Sequence, residues 1–270
     1  AGALQDYNRA VVIGESSTFG KGTVQQPMDI GRMLPLFAVG NRAGYVKVTI
    51  QKFYRPSGSS TQMDGVVPQI ILPSLTDALE IGERYLENAL PHDRIRPAAD
   101  FKPADPQLLH LTTLKQLSQD RLKTNKDFIY VIEDVLKAKD RIKQNKVSLN
   151  KATREKELNE EDGIQDAGNA ERGERFSKIA EEDKKNLRFM KLTLDDLDKD
   201  GPPREYDPAA ENAEYMRKAK DENADLDDTP KWPSGMDPVK RESLSVMRDL
   251  VDLTENARTA GLHFKANEVR

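Results

Sequence analysis

The chain has no cysteine, one tryptophan and three histidines in 270 residues. Without thiols it can form neither a disulfide nor a thiolate metal site, and the lack is compatible with an oxidising compartment. The histidines, His92, His110 and His263, stand too far apart in sequence to suggest a metal-ligand motif. No apolar run approaches the roughly 18 residues that a membrane-spanning helix requires. Neither sign of charge dominates: 42 Lys and Arg against 46 Asp and Glu leave a net charge of −4. That balance gives no general drive toward nucleic acid or an anionic membrane surface.

What is present is charge. Charged residues make up 33% and apolar ones 37%, with a mean hydropathy of −0.73. This is little apolar material for one globule of this length, so a compact part and a poorly packed, charge-rich part are expected. Charge also divides the chain: residues 1–75 carry a balance of +3 and residues 76–270 a balance of −7. The first part reads as mixed α and β. Ala1, Ala3, Leu4 and Tyr7 mark one side of a helix already under way, and the chain is expected to be a piece of a longer protein. Short strands are expected at Ala10–Gly14, Thr23–Met28 and Leu36–Val39. The clearest β pattern is Tyr45–Tyr54, where Val46, Val48 and Ile50 alternate with Tyr45, Lys47 and Thr49. Val66–Leu72 is a further β segment, interrupted by Pro68.

After Pro73 the periodicity turns helical. Helices are expected over Thr76–Leu90, Gln107–Lys123, Asp127–Asn145, Asn150–Glu171 and Asp237–Arg258, and a polar helix or disorder over Glu211–Asp228. Pro91, Pro97, Pro103 and Pro106 make a linker. The predicted fold class is α+β, with three regions: 1–75, a helix and linker at 76–106, and a helical domain at 107–270 in which 200–235 is disordered. Asp196–Gly201 (DLDKDG) looks like half of an EF-hand loop, but Pro202 and Pro203 stand where the closing ligands should follow.

One lysine carries most of the chemical information. Lys21 lies between Gly20 and Gly22, after the apolar run Ala10–Ile13 and ahead of a β-prone segment. A phosphate loop would need four residues between its first glycine and the Gly-Lys pair, then Ser or Thr. Here five residues separate Gly14 from Gly20, and Gly22 follows the lysine. The other chemistry open to such a lysine is that of a general base, which requires burial to keep the amine neutral. An exposed lysine in a glycine turn is the third reading, and the tripeptide alone favours it.

Longer strings change that weighting. ALQDYNRAVVIGESSTFGKGTVQQ (3–26) and KVTIQKFYRPSGSSTQMDGVVPQIILP (47–73) closely resemble the S41 family of carboxyl-terminal processing peptidases. LENALPHDRI (86–95) and NKVSLNKATREKELNE (145–160) resemble the helical extension of its tail-specific branch. The resemblance implies the second half of an S41-type catalytic domain followed by a mainly helical C-terminal domain. It implies a serine endopeptidase with a Ser–Lys dyad that acts on polypeptides with exposed C-termini. Lys21 falls on the family's general base, Gln25 on the glutamine that orients it, and Asp6 on an acidic residue implicated in the tail-specific branch. By itself, an Asp at a helix end reads as a cap or a solvated charge. The family's nucleophilic serine lies in a motif upstream of the first helix and is absent from these residues, so the chain alone is expected to be inactive. Ser16 and Ser17 sit in the wrong place to replace it.

The resemblance implies no metal and no cofactor, a PDZ-containing parent in the bacterial periplasm, peripheral membrane association, and an adaptor lipoprotein partner for some members. Two departures stand out: Gln69 replaces a common Asp, and Glu15–Thr18 is one residue longer than the pattern. The rival reading is a non-catalytic helical scaffold or adaptor-binding module.

Overall fold

A computed structural model describes residues 1–33, 44–197, 201–205 and 231–259. It is 53% helical and 12% strand, an α+β chain with small sheets. The elements are α1 (Gly2–Asp6), β1 (Ile13–Gly14), β2 (Thr23–Asp29), α2 (Ile30–Met33), β3 (Tyr45–Lys52), β4 (Ile70–Ile71), α3 (Leu111–Thr124), α4 (Lys126–Gln144), α5 (Lys151–Asn186), β5 (Met190–Lys191), β6 (Arg204–Glu205) and α6 (Pro238–Thr259). They form two units, Ala1–Gln144 with Glu242–Arg270, and Asn145–Arg241.

In the first unit β1 pairs in parallel with β4, and β2 pairs antiparallel with β3. The core joins strands and helices. Ile70 and Leu72 from the parallel pair pack with Leu114 of α3, Phe128 of α4 and Val246 of α6, each no more than 3% exposed. Val11, Ile13, Leu122, Leu250 and Leu253 close its edge. Leu114 and Leu122 of α3, Phe128 of α4, and Val246, Leu250 and Leu253 of α6 therefore meet the β segment itself. Beside this core Arg121 bridges two carboxylates of α6, reaching Glu242 at 2.8 Å and Asp249 at 2.6 Å.

The expected helix over Thr76–Leu90 does not form. Two 3-10 turns, Leu75–Ala78 and Glu83–Tyr85, replace it. Ser74 caps the first with Asp77 in a capping box. Between the turns Gly82 takes φ +140°, a conformation open to glycine and closed to a helix. Glu83 N then donates to Phe19 O at 2.8 Å, so a tertiary contact outweighs local propensity. The expected strand at Leu36–Val39 and helix at Glu211–Asp228 lie outside the described residues. The alternation read in β3 is present, but both faces of the β2–β3 ribbon are exposed within this chain, Ile50 at 51% and Tyr45 at 73% among them.

In the second unit α5 runs well past the expected Glu171, to Asn186. Asn150 caps its start by accepting from Thr153 N at 3.1 Å. Paired charges at i and i+4, such as Arg175 with Glu171 and Lys178 with Glu174, support its polar length. Its far end is anchored: the Phe176 ring packs at a tilt against Trp232, centroids 5.2 Å apart, and Asp183 accepts from Arg241 and from Ser234. Arg204–Glu205 pairs with Met190–Lys191, and Pro233–Gly235 forms a turn. Asp196 is a cap partner of Thr193 and a salt-bridge partner of Arg204, so the half EF-hand string is used structurally at its first residue.

Phe128 tests the shared core. Phe128→Ala should lower the unfolding free energy by about 3–5 kcal/mol, read by urea denaturation; a loss under about 1 kcal/mol would mean the side chain is not packed as described.

Candidate active site

The segment Glu15–Gly22 leaves β1 and enters β2. Its backbone is fastened to the polar turn Ser60–Val66 at Thr18, Gly20, Lys21 and Gly22. Thr18 N donates to Val66 O at 3.1 Å, and Met63 N to Gly20 O at 2.8 Å. Thr61 Oγ1 donates to Lys21 O at 3.0 Å, and Gly22 N donates to Gln62 Oε1 at 2.8 Å. Phe53 N closes the end on Gly22 O at 3.0 Å. The two glycines are required by this approach. A Cβ on Gly20 would lie 2.7 Å from Met63 O, and one on Gly22 would lie 2.6 Å from Gln62 N. Of the three residues Gly20–Gly22, only Lys21 has room for a side chain.

Lys21 Nζ donates to Gln25 Oε1 at 3.0 Å. Gln25 lies on β2 just after an irregularity: Val24 pairs with Gln51 but Gln25 with Thr49, so Ile50 is an extra residue on β3. Such a bulge re-aims the side chains around it. The ammonium has no carboxylate partner among the described residues. The Gln25 amide oxygen fixes the direction in which the amine points. Lys21 is nonetheless exposed. The burial that a basic, neutral lysine needs is not supplied by the described residues, because the flanking glycines pack the backbone away and leave the side chain on the open side.

Asp6 is not joined to Lys21 by any hydrogen bond or ion pair among the described residues. It is also neither a cap nor a solvated charge. At the end of α1 it is 8% exposed and holds Arg55, which stands just past β3. Arg55 Nη2 pairs with Asp6 Oδ1, and Nε reaches Oδ2 at 3.1 Å. Ser57 adds its hydroxyl at 2.7 Å and its amide at 3.3 Å. Arg55 also reaches Gln5 Oε1 at 2.7 Å and Gly2 O at 3.2 Å, so one guanidinium pins the whole of α1. Burial alone pushes the Asp6 carboxyl up; the hydrogen bonds from Arg55 and Ser57, with the Arg55 charge, outweigh it and hold the group below its ordinary value.

Ser59, His92 and Asp64 lie close together but do not form a serine triad. Ser59 Oγ is 3.4 Å from His92 Nε2, and Asp64 Oδ2 is 3.8 Å from the same nitrogen. A triad needs the two partners on opposite ring nitrogens.

Residues 1–72 match the family model described as peptidase family S41, and residues 76–252 match that of the C-terminal domain of tail specific protease. The chain belongs to the tail-specific proteases of family S41. It is 34% identical over 204 residues to a tail-specific protease of Haemophilus influenzae, covering 74% of this chain and 27% of that protein. It is 34% identical over 117 residues to a carboxy-terminal-processing protease of Bartonella bacilliformis, covering 40% of this chain and 24% of that protein. The chain thus spans about a quarter of the length of these curated relatives.

Within this tail-specific protease chain, sequence reasoning missed Gln62, Arg55 and Ser57. Gln62 is 0% exposed, yet it sits in SSTQMDG, a string that reads as a solvated turn. Gln69 has a structural use: its Oε1 accepts from Val12 N at 2.8 Å and steadies β1. Glu15 is also used, since it accepts from Ser74 and Thr76, each at 2.8 Å.

The depressed Asp6 group makes a stability prediction. A carboxyl held below its unfolded value stabilises the fold above about pH 4 and loses that contribution as pH falls further. Asp6→Ala should cost about 3 kcal/mol at pH 7, and the gap between variant and parent should narrow below about pH 4. A gap that stays constant from pH 7 into acid would contradict the assignment.

Proposed function

We propose that the chain carries the general-base half of a Ser–Lys dyad in a serine endopeptidase that processes or degrades polypeptides from exposed C-termini. The observation that carries this reading is the Lys21 Nζ–Gln25 Oε1 contact, made on a backbone loop locked to its neighbours in a chain of this family. The proposed roles are Lys21 as base, Gln25 as its orienting partner, and Asp6 as the clamp that fixes α1. The nucleophilic serine lies outside these 270 residues.

In the proposed reaction the serine hydroxyl attacks the scissile carbonyl while Lys21 takes its proton, then returns that proton to the departing amine. Backbone N–H groups hold the tetrahedral oxyanion. The substrate tail lies beside a strand, held by main-chain hydrogen bonds. In this arrangement residues 1–75 complete a catalytic domain, 76–106 link it to the helical domain at 107–270, and the whole protein works in the bacterial periplasm. No helix of the described residues is long and apolar enough to cross a membrane. The family resemblance is the support for peripheral membrane association and for an adaptor lipoprotein as a partner.

The exposure of Lys21 favours a second reading for the 270 residues taken alone, a non-catalytic helical module that binds an adaptor. Kinetics separate the two. In the intact protein Lys21→Ala should lower kcat/KM on a peptide with a free C-terminus by at least about 10³-fold. Gln25→Ala should cost about 10- to 100-fold, and the 270-residue chain should show no turnover. Unchanged cleavage by Lys21→Ala would favour the second reading.

A further inference from the structure

The turns that replace the expected helix bring Glu83 to the Lys21 loop. Glu83 N donates to Phe19 O at 2.8 Å, and Glu83 Oε1 accepts from Gln62 Nε2 at 2.9 Å. The other end of the same buried amide, Gln62 Oε1, accepts from Gly22 N at 2.8 Å. These three bonds close a ring around the four residues Phe19–Gly22, with Lys21 inside it. Gln62 is 0% exposed and uses both ends of its amide, so it cannot turn over without leaving buried polar groups unmatched. Ser60 Oγ accepts from Gln62 N at 3.0 Å and fixes its backbone as well. Glu83 belongs to the stretch matched by the C-terminal-domain model, whereas Lys21 and Gln62 belong to the stretch matched by the peptidase model.

We propose that Glu83 and Gln62 are positioning residues for Lys21, so that the stretch that follows the peptidase match helps to set the geometry of the proposed base. This rests on the reading of Lys21 as the base. Glu83 holds the loop from both sides, by its amide at Phe19 and through Gln62 at Gly22. If the carboxylate is lost, the Gln62 amide N–H₂ is left unpaired, and Gly22 loses an acceptor fixed in orientation. A loop displaced by a fraction of an ångström is enough to misplace a base whose partner oxygen must lie within hydrogen-bond reach.

The test uses the intact protein and a peptide substrate with a free C-terminus. Glu83→Ala should lower kcat by about tenfold or more with KM within about twofold of the parent. Glu83→Gln, which keeps an acceptor oxygen for Gln62 Nε2, should recover most of that loss. Gln62→Leu should give the same kcat defect where it folds, and Glu83→Ala, at a half-buried position, carries the test where it does not. An unchanged kcat in Glu83→Ala overturns the proposal, as does a rise in KM alone or a failure of Glu83→Gln to recover. Lys21→Ala is run in parallel. If it cleaves like the parent, the base assignment itself fails; if it is inactive while Glu83→Ala is not impaired, only the positioning role fails.

Discussion

The amide of Gly22 reaches the buried oxygen of Gln62 at 2.8 Å, at a point where a single added Cβ would collide with the Gln62 backbone. This approach of two main chains organises the first unit. It forces glycine on both sides of Lys21, turns the lysine outward onto Gln25, and sets the entry of β2 into its ribbon with β3. Removing the bond would strand a buried donor and a buried acceptor together, and unmatched groups of this kind cost about 1–3 kcal/mol each. The geometry around the lysine is therefore a property of the fold beneath it.

That fold does not divide neatly into strands and helices. Ile70 and Leu72 of the β segment share a core with Leu114, Phe128 and Val246 of three helices. Asp6 and Arg55 tie the first helix to the end of β3 across 49 residues of sequence. The consequence for the loop is mechanical. A contact such as Lys21–Gln25 persists only if both partners stay within hydrogen-bond reach, and here the platform for Lys21 draws stiffness from buried polar bonds and from helices distant in sequence.

Much of this was legible in the sequence, for definite reasons. The helices α3, α4 and α6 follow the apolar period of their leucines and valines, and β3 follows its alternation. The Lys21–Gln25 pair was legible through the T-F-G-K-G motif, though its catalytic role stands as a proposal. Three features were hidden. Gln62 looks like a turn residue, because burial of a polar side chain leaves no period in the sequence. Asp6 looks like a helix end, because Arg55 lies so far along the chain. Residues 76–90 look helical, because their apolar spacing says nothing of the Glu83–Phe19 bond or the Gly82 backbone that interrupts them. In each case a long-range polar contact overrode a local pattern.

The most direct measurement of the central claim is native-state hydrogen exchange at the Gly22 and Met63 amides. If the loop is locked as described, both amides should exchange only through the large openings that release core amides such as Leu114. Exchange at the rate of an exposed loop would show that the lysine platform is not held, and the account of the site would fail with it.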